Sequence, residues 1–299
     1  MTSDRLRSAG ALSADPSEFV RKYDREPFGY EHELSDLELF SESSLRALVD
    51  RYDRDFFVAA GAESPGTKFY SVPSGEYSPA EALEKLESTN QRILLKMPEQ
   101  YDSRYRDLLE ALFKEVAALR GGLRGERIVR LASSILISSA AAITPFHFDP
   151  EVSFFFQISG EKIYHLYRPS VLSEDELERF YVMGIVNIGQ VELAGRNPES
   201  EYVFRLVAGK GMHQPQNCPH WVETRQTRSI SYVFSYETDA TRSLGRTRAF
   251  NHYMRRLGLR PAPPGLRVAS DARKAQAMQV IIPFRKTAGE VVRKALRRA

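Results

Sequence analysis

The chain is short of cysteine: Cys218 is the only one in 299 residues, so no internal disulfide can form and a cystine-stapled scaffold is excluded. It also lacks a long apolar run. No stretch approaches the ~18 consecutive apolar residues that a membrane-spanning helix needs, and no membrane span is expected. Met1–Pro16 is polar, carries Asp4 and Asp15, and has no apolar core of the kind a secretory leader uses. With a reducing compartment fitting the lone thiol, the expected location is cytoplasmic. Internal repeats and low-complexity tracts are absent as well, which argues against a solenoid or a disordered linker protein. Hydrophobic residues at 42% and charged ones at 27% leave an ordinary globular composition, long enough for one large domain with an appendage.

Net charge is only +3, but its distribution is uneven. Residues 241–299 hold fifteen Lys/Arg against Asp271 and Glu290, a local +13, which leaves about −10 for residues 1–240. A basic tail of this kind can bind nucleic acid, anionic lipid or an acidic partner. No interleaving of aromatic and basic residues accompanies it, so the plainer expectation is a solvated set of terminal helices, which can also serve a homodimer.

Three regions follow from the periodicity. Residues 1–30 show none and are expected to be an irregular N-terminal arm. Residues 31–240 form the main domain. Its first part alternates helices and strands: a helix opened by Ser41 with Leu45, Leu48 and Val49 on one face, a strand at Asp55–Ala60, a helix after Ser78-Pro79, a strand at Ile93–Lys96, and a helix over Ser103–Leu119 ended by Gly121-Gly122. From Ile128 to Tyr236 short β segments dominate: 131–139, 152–158, 162–167, 202–207 and 229–236, with Ser159-Gly160-Glu161 read as a hairpin turn. The expected class is therefore mainly β with flanking helices (α+β), its core a sandwich or barrel that includes the jelly roll, or double-stranded β-helix, of cupins. A charged excursion at 171–200 reads as a helix plus loop over one rim. Residues 241–299 read as a basic helical extension, with Phe250, Tyr253, Met254 and Leu257 at helical spacing.

The chemically informative run is Thr144-Pro-Phe-His147-Phe-Asp149-Pro. On an extended strand residues i and i+2 face one way, so His147 and Asp149 present an imidazole and a carboxylate together. His220, in Asn217-Cys-Pro-His-Trp-Val-Glu, can supply a third ligand. Two histidines and one carboxylate on one face of a metal, with the opposite positions open, is the arrangement of non-haem iron(II) oxygenases, although zinc accepts the same donors. Ser153, Phe155 and Gln157 alternate on the next strand, and Lys162 follows the turn. A lysine buried beside a metal needs a fixed anion. The distal carboxylate of 2-oxoglutarate is such an anion, with the Thr144 hydroxyl as a further donor; read without the neighbouring motif, Lys162 is a solvent-facing hairpin lysine. Of the remaining candidates, His213 reads as a surface or supporting histidine, His165 as structural, Cys218 as a small buried packing residue, and Trp221 as core packing that fixes His220.

The run from Thr144 through Gln157-Ile-Ser-Gly160-Glu-Lys162 resembles the core of JmjC-type cupin hydroxylases, particularly the factor-inhibiting-HIF-like branch, whose pattern is Thr-Pro-x-His-x-Asp, an aromatic pair, Gln-x-x-Gly and a lysine. The resemblance extends over the layout of residues 30–240 and is specific over 144–162 and 215–224. It implies that His147, Asp149 and His220 bind Fe(II), and that Lys162 and Thr144 hold the distal carboxylate of 2-oxoglutarate. Ser153 stands where the family often has Asn, and contributes a polar contact to the co-substrate. Cys218-Pro219-His220-Trp221 departs in detail from the family's Pro-x-x-Trp-Trp turn. The implied activity is hydroxylation of an unactivated C–H bond of a small molecule or a protein or peptide side chain, consuming O2 and yielding succinate and CO2. Two rival classes keep the same fold: a cupin lyase or isomerase that does not use 2-oxoglutarate, in which Lys162 points away from the metal, and a non-catalytic cupin serving as a binding or oligomerisation module.

Overall fold

The computed structural model describes residues 11–69, 77–182 and 188–281. Contacts divide the chain into two compact units. The first comprises residues 1–125, 130–171 and 188–236, and the second residues 126–129, 172–187 and 237–299.

Two β-sheets organise the first unit. The larger has the order β1 (Leu12–Ser13), β2 (Phe28–His32), β11 (Lys210–Gln214), β7 (Val152–Ser159), β13 (Ser229–Thr238), β5 (Ile128–Ser138), β4 (Gln91–Lys96) and β3 (Phe56–Ala60). The smaller has the order β10 (Glu201–Leu206), β8 (Lys162–Tyr167), β12 (Pro219–Thr224), β6 (Ile143–Phe148) and β9 (Gly189–Gln190). From β5 to β8, and again from β10 to β13, successive strands alternate between the sheets. That alternation is the double-stranded β-helix expected from the sequence. It corrects one local expectation: Ser159-Gly160-Glu161 is not a hairpin turn, because β7 and β8 lie in different sheets and the turn carries the chain between them. Two apolar strands and a Gly look the same in either case, and only the pairing partners tell them apart.

Between the sheets Phe155 and Met212 of the larger meet Tyr164, Leu166, Leu206 and Val222 of the smaller, with Cys218 completing the cluster. The opposite face of the larger sheet is also covered. Phe154 stacks on Phe19 of α1 (Pro16–Lys22), with ring centroids 6.0 Å apart. Tyr232 meets Phe40 and Tyr105 at 5.6 and 6.4 Å, the latter from α4 (Ser103–Leu119). Burial on both faces explains why Phe154-Phe155-Phe156 carries no polar alternation: β7 is a central strand with a core on each side.

The irregular arm is a second correction. Residues 11–30 contain β1, α1 and the start of β2. Asp15 caps α1 by accepting from the Glu18 amide, Pro16 sits at the first turn, and Phe19 is fully buried. Seven residues are too few to show a helical period, although the cap was present in the sequence. The helices α2 (Glu42–Val49) and α3 (Pro79–Glu84) form where Ser41 and Ser78 predict them, each serine capping its helix.

In the second unit α5 (Glu174–Tyr181) lies against α6 (Asp239–Arg256), and Gly245 permits the approach because a Cβ there would strike the Tyr181 ring. The buried residues of α6 are Gly245, Thr247, Ala249 and Asn251, which fall on two sides of the helix, rather than the expected Phe250/Tyr253/Met254/Leu257 stripe, and Leu257 is 72% exposed. The two polar members are answered by backbone: Thr247 donates to the Asp271 carbonyl and Asn251 to the Ala262 carbonyl. Residues 188–190, also from the excursion, return to the first unit as β9.

Gly160 has φ +70°, and a Cβ there would run into the Arg228 carbonyl oxygen. Gly160→Ala is therefore expected to destabilise the protein by about 2 kcal/mol or more, read as a lowered denaturation midpoint. Gly122→Ala, with positive φ but open space around it, costs less.

Candidate metal centre and cation pocket

His147 is on β6 and His220 on β12, and the antiparallel register pairs them directly, His147 against His220. Their ring centroids are 4.2 Å apart and both are buried. Asp149 follows the end of β6. The Asn217 amide donates to the Asp149 carbonyl, and Gln216 Nε2 donates to the Pro150 carbonyl, so the turn before β12 grips the turn after β6. Asp149 Oδ1 lies 3.9 Å from His147 Nε2, and Oδ2 lies 3.8 Å from His220 Nε2.

Both imidazoles are set to expose the same nitrogen. His147 Nδ1 donates to the Pro145 carbonyl at 2.7 Å, and His220 Nδ1 donates to the Cys218 carbonyl at 3.1 Å. A carbonyl only accepts, so each Nδ1 carries the proton and each Nε2 offers a lone pair toward Asp149. Burial lowers both imidazole pKa values, His147 to about 3, with the neighbouring His220 adding to the effect. Two neutral imidazoles and a carboxylate, with one donor atom each all within 4.8 Å of one another, fit a divalent metal. A facial set about 2.1 Å from an ion has its donors roughly 3 Å apart, so each Asp149–imidazole separation would close by about 1 Å on an ion. Gln214 supports it: its Nε2 donates to Asp149 Oδ2 at 3.2 Å, while its buried Oε1 has no partner.

The other residues named from the sequence are distributed around this cluster. Lys162 is 3% exposed and starts β8, on the face shared with Tyr164 and Leu166, which is the inter-sheet face. It forms no ion pair among the described residues, and burial, reinforced by Arg92, lowers its pKa to about 7. Thr144 pairs with Val222, and two residues of β6, Pro145 and Phe146, stand against Trp221 alone; this irregularity turns Thr144 to the same face as His147. Ser153 is buried opposite Gln214 and Ser235, and its carbonyl accepts from His213. His213 is a core residue rather than a surface one: its Nε2 accepts from the Asp24 amide and its ring stacks on Tyr23. Cys218 is packed in the core as expected, whereas Trp221 is half-buried and stacks on His165 at 3.7 Å.

One residue escaped the sequence reading. Arg92 of β4 reaches Thr144, its Nη1 donating to Oγ1 at 3.1 Å. In Gln91-Arg-Ile-Leu-Leu-Lys it looks like any polar residue on a strand, and nothing local signals that it points between the sheets.

Removing the amide support with Gln214→Leu is expected to weaken Fe(II) or Co(II) binding about 10- to 100-fold in an anaerobic titration. Lys162 predicts a pH effect of definite sign. Its folded pKa of about 7 lies below the ordinary 10.5, so between those values the unfolded chain binds more protons and stability rises with pH. The cost is fully present below about pH 7 and absent above about 10.5. Lys162→Met should flatten this dependence and stabilise the ligand-free protein near pH 7 by on the order of a few kcal/mol, measured by denaturation across pH.

No protein-family model matches the sequence, and no curated protein matches it. Solved structures do. The X-ray structure of Escherichia coli YcfD aligns with a TM-score of 0.54 at 15% identity, covering 91% of this chain and 68% of that one. The same E. coli protein, described as a ribosomal oxygenase, aligns at 0.52 in complex with cobalt and 2-oxoglutarate and at 0.51 with cobalt and succinic acid, both at 16% identity over 91% of this chain and 67% of that one. At such identities the likeness is one of fold: this chain is built on the double-stranded β-helix, with flanking helices, that YcfD also has.

Proposed function

We propose that the chain is an Fe(II)- and 2-oxoglutarate-dependent oxygenase, a hydroxylase of an unactivated C–H bond. The observation that carries the reading is the pairing of the His147/Asp149/His220 set with a buried Lys162, without an ion pair among the described residues, on the same inter-sheet surface. A lyase or isomerase using only the metal, in which Lys162 points away from the metal, has no use for an ammonium buried on the inter-sheet face. The cobalt and 2-oxoglutarate complex of a protein with the same fold supports the co-substrate.

Spacing along the strands agrees. Leu166 of β8 stands opposite His220, and Lys162 is four residues away, about 13 Å along the strand. A separation of this size leaves room for a short dicarboxylate between ammonium and metal. Thr144 stands opposite Val222, between the two ends. Because Thr144 Oγ1 accepts from Arg92, its own proton is free to donate to an anion.

When bound, iron and 2-oxoglutarate would supply the oxidising chemistry with O2 as the oxidant, one oxygen atom going to the substrate C–H bond and the other to succinate as CO2 leaves. The chain supplies the rest. His147 and His220 present lone pairs fixed by backbone carbonyls, Asp149 adds the charge that offsets a divalent ion, and Lys162 with Thr144 anchors the far carboxylate. Ser153 contributes a polar contact on the inner face of β7. Phe155 and Tyr164 keep water out, which strengthens each charge interaction in the pocket. Of the two substrate classes, a protein side chain is favoured over a small molecule by the ribosomal oxygenase likeness.

Anaerobic addition of Fe(II) and 2-oxoglutarate should produce a weak visible metal-to-ligand charge-transfer band, lost in Asp149→Ala. Under air, succinate should form slowly without added substrate. Metal binding with neither band nor succinate would reject the co-substrate assignment.

A further inference from the structure

Arg92 carries a charge that no described residue answers. Its Nη1 is engaged by Thr144, but Nε and Nη2 are shut off from solvent and have no hydrogen-bond partner. No carboxylate lies within ion-pairing distance among the described residues, and the Phe69 ring centroid is 5.7 Å from the guanidinium carbon. Lys162 shows the same deficit from the neighbouring sheet. The two cations are close enough for Arg92 to disfavour the charged form of Lys162. Two like charges buried in surroundings of low polarity repel one another unless they share an anion.

The free edge of Arg92 shows which kind of anion. Nε and Nη2 lie on the same side of the guanidinium plane edge, and their parallel N–H groups match the two oxygens of one carboxylate. The third donor direction, through Nη1, is spent on holding the Thr144 hydroxyl. Resting on the co-substrate reading above, we propose that Arg92 and Lys162 form a two-cation clamp on the distal carboxylate of 2-oxoglutarate, with Arg92 supplying the side-on fork and Thr144 the hydroxyl it orients. The clamp makes the pocket select a dicarboxylate keto acid by charge rather than by length.

The test uses the full chain loaded anaerobically with Fe(II), titrated with 2-oxoglutarate and with 2-oxopentanoate, which has the same carbon chain but no distal carboxylate. Calorimetry reads affinity without turnover. Arg92→Met should weaken 2-oxoglutarate about 10- to 100-fold, the usual effect of losing hydrogen bonds to a charged group, and leave 2-oxopentanoate essentially unchanged. Arg92→Lys keeps the charge, removes the fork and should fall between; it also serves if the methionine variant does not fold. Undiminished 2-oxoglutarate affinity in both variants, or equal losses for both keto acids, overturns the clamp while leaving the proposed function standing. A wild-type chain that binds metal but holds the two keto acids equally overturns the co-substrate reading itself.

Discussion

The ladder between β6 and β12 runs His147 against His220 and Thr144 against Val222, so three steps on one strand answer two on the other. Side chains alternate with period two, and three steps along a regular strand would turn Thr144 and His147 to opposite faces. The extra residue restores them to one face. It places a threonine hydroxyl and an imidazole on the inner surface while Phe146 packs outward against Tyr167. The alternation of strands between sheets makes this ladder possible at all, since it sets side by side two strands separated by about seventy residues of chain. β9 seals the far side of β6, with Gln190 opposite His147, and Gly189 is required there because any Cβ would collide with the Phe148 ring.

On that surface the protein accepts a cost. His147 and His220 are neutral, and the half-buried carboxylate of Asp149 is the anionic member of the metal cluster. Lys162 and Arg92 bring two positive charges into an environment that penalises each, and burial pulls both below their ordinary pKa values, Arg92 to about 10. Nothing in packing rewards this; a methionine in either place would fill similar volume without desolvation. Residues that lower stability in the empty fold are explained when a ligand answers them. The orphaned Oε1 of Gln214 is a smaller instance beside the metal cluster, its other end spent on Asp149.

Much of this was legible in the residues. Short β-rich segments bounded by turns exposed the strands at 152–158, 162–167 and 229–236, serine caps marked α2 and α3, and a 3.6 period marked α4 over its full length. His147 and Asp149 could be paired from i, i+2 spacing alone. What stayed hidden depends on partners distant in the chain. Arg92 becomes chemical through Thr144, fifty-two positions away. The turn at Gly160 joins two sheets, which is decided by what β7 and β8 pair with rather than by the turn. His213 was underestimated because its partners, the Asp24 amide and the Tyr23 ring, come from the segment that showed no period. Trp221 was placed in the core on hydrophobicity, whereas strand alternation beside the inward His220 turns it outward onto His165.

The basic segment that begins at residue 241 is explained in part by the same principle of answered charge. Within the second unit Arg248 forms a two-pronged pair with Glu174, and Arg255 donates to the fully buried carboxylate of Glu178. Arg242 meets Glu237, and Lys274 meets Asp271. The acidic partners Glu174 and Glu178 belong to the 171–200 excursion, so two stretches that looked unrelated in sequence, one charged insertion and one basic tail, are halves of one helix pair. A buried Glu178 is tolerable only with its arginine in place, and removal of Arg255 would strand it at a cost of about 3–5 kcal/mol. The charge asymmetry along the chain is therefore partly a folding device, an insertion and a terminal helix made to recognise one another across some seventy intervening residues.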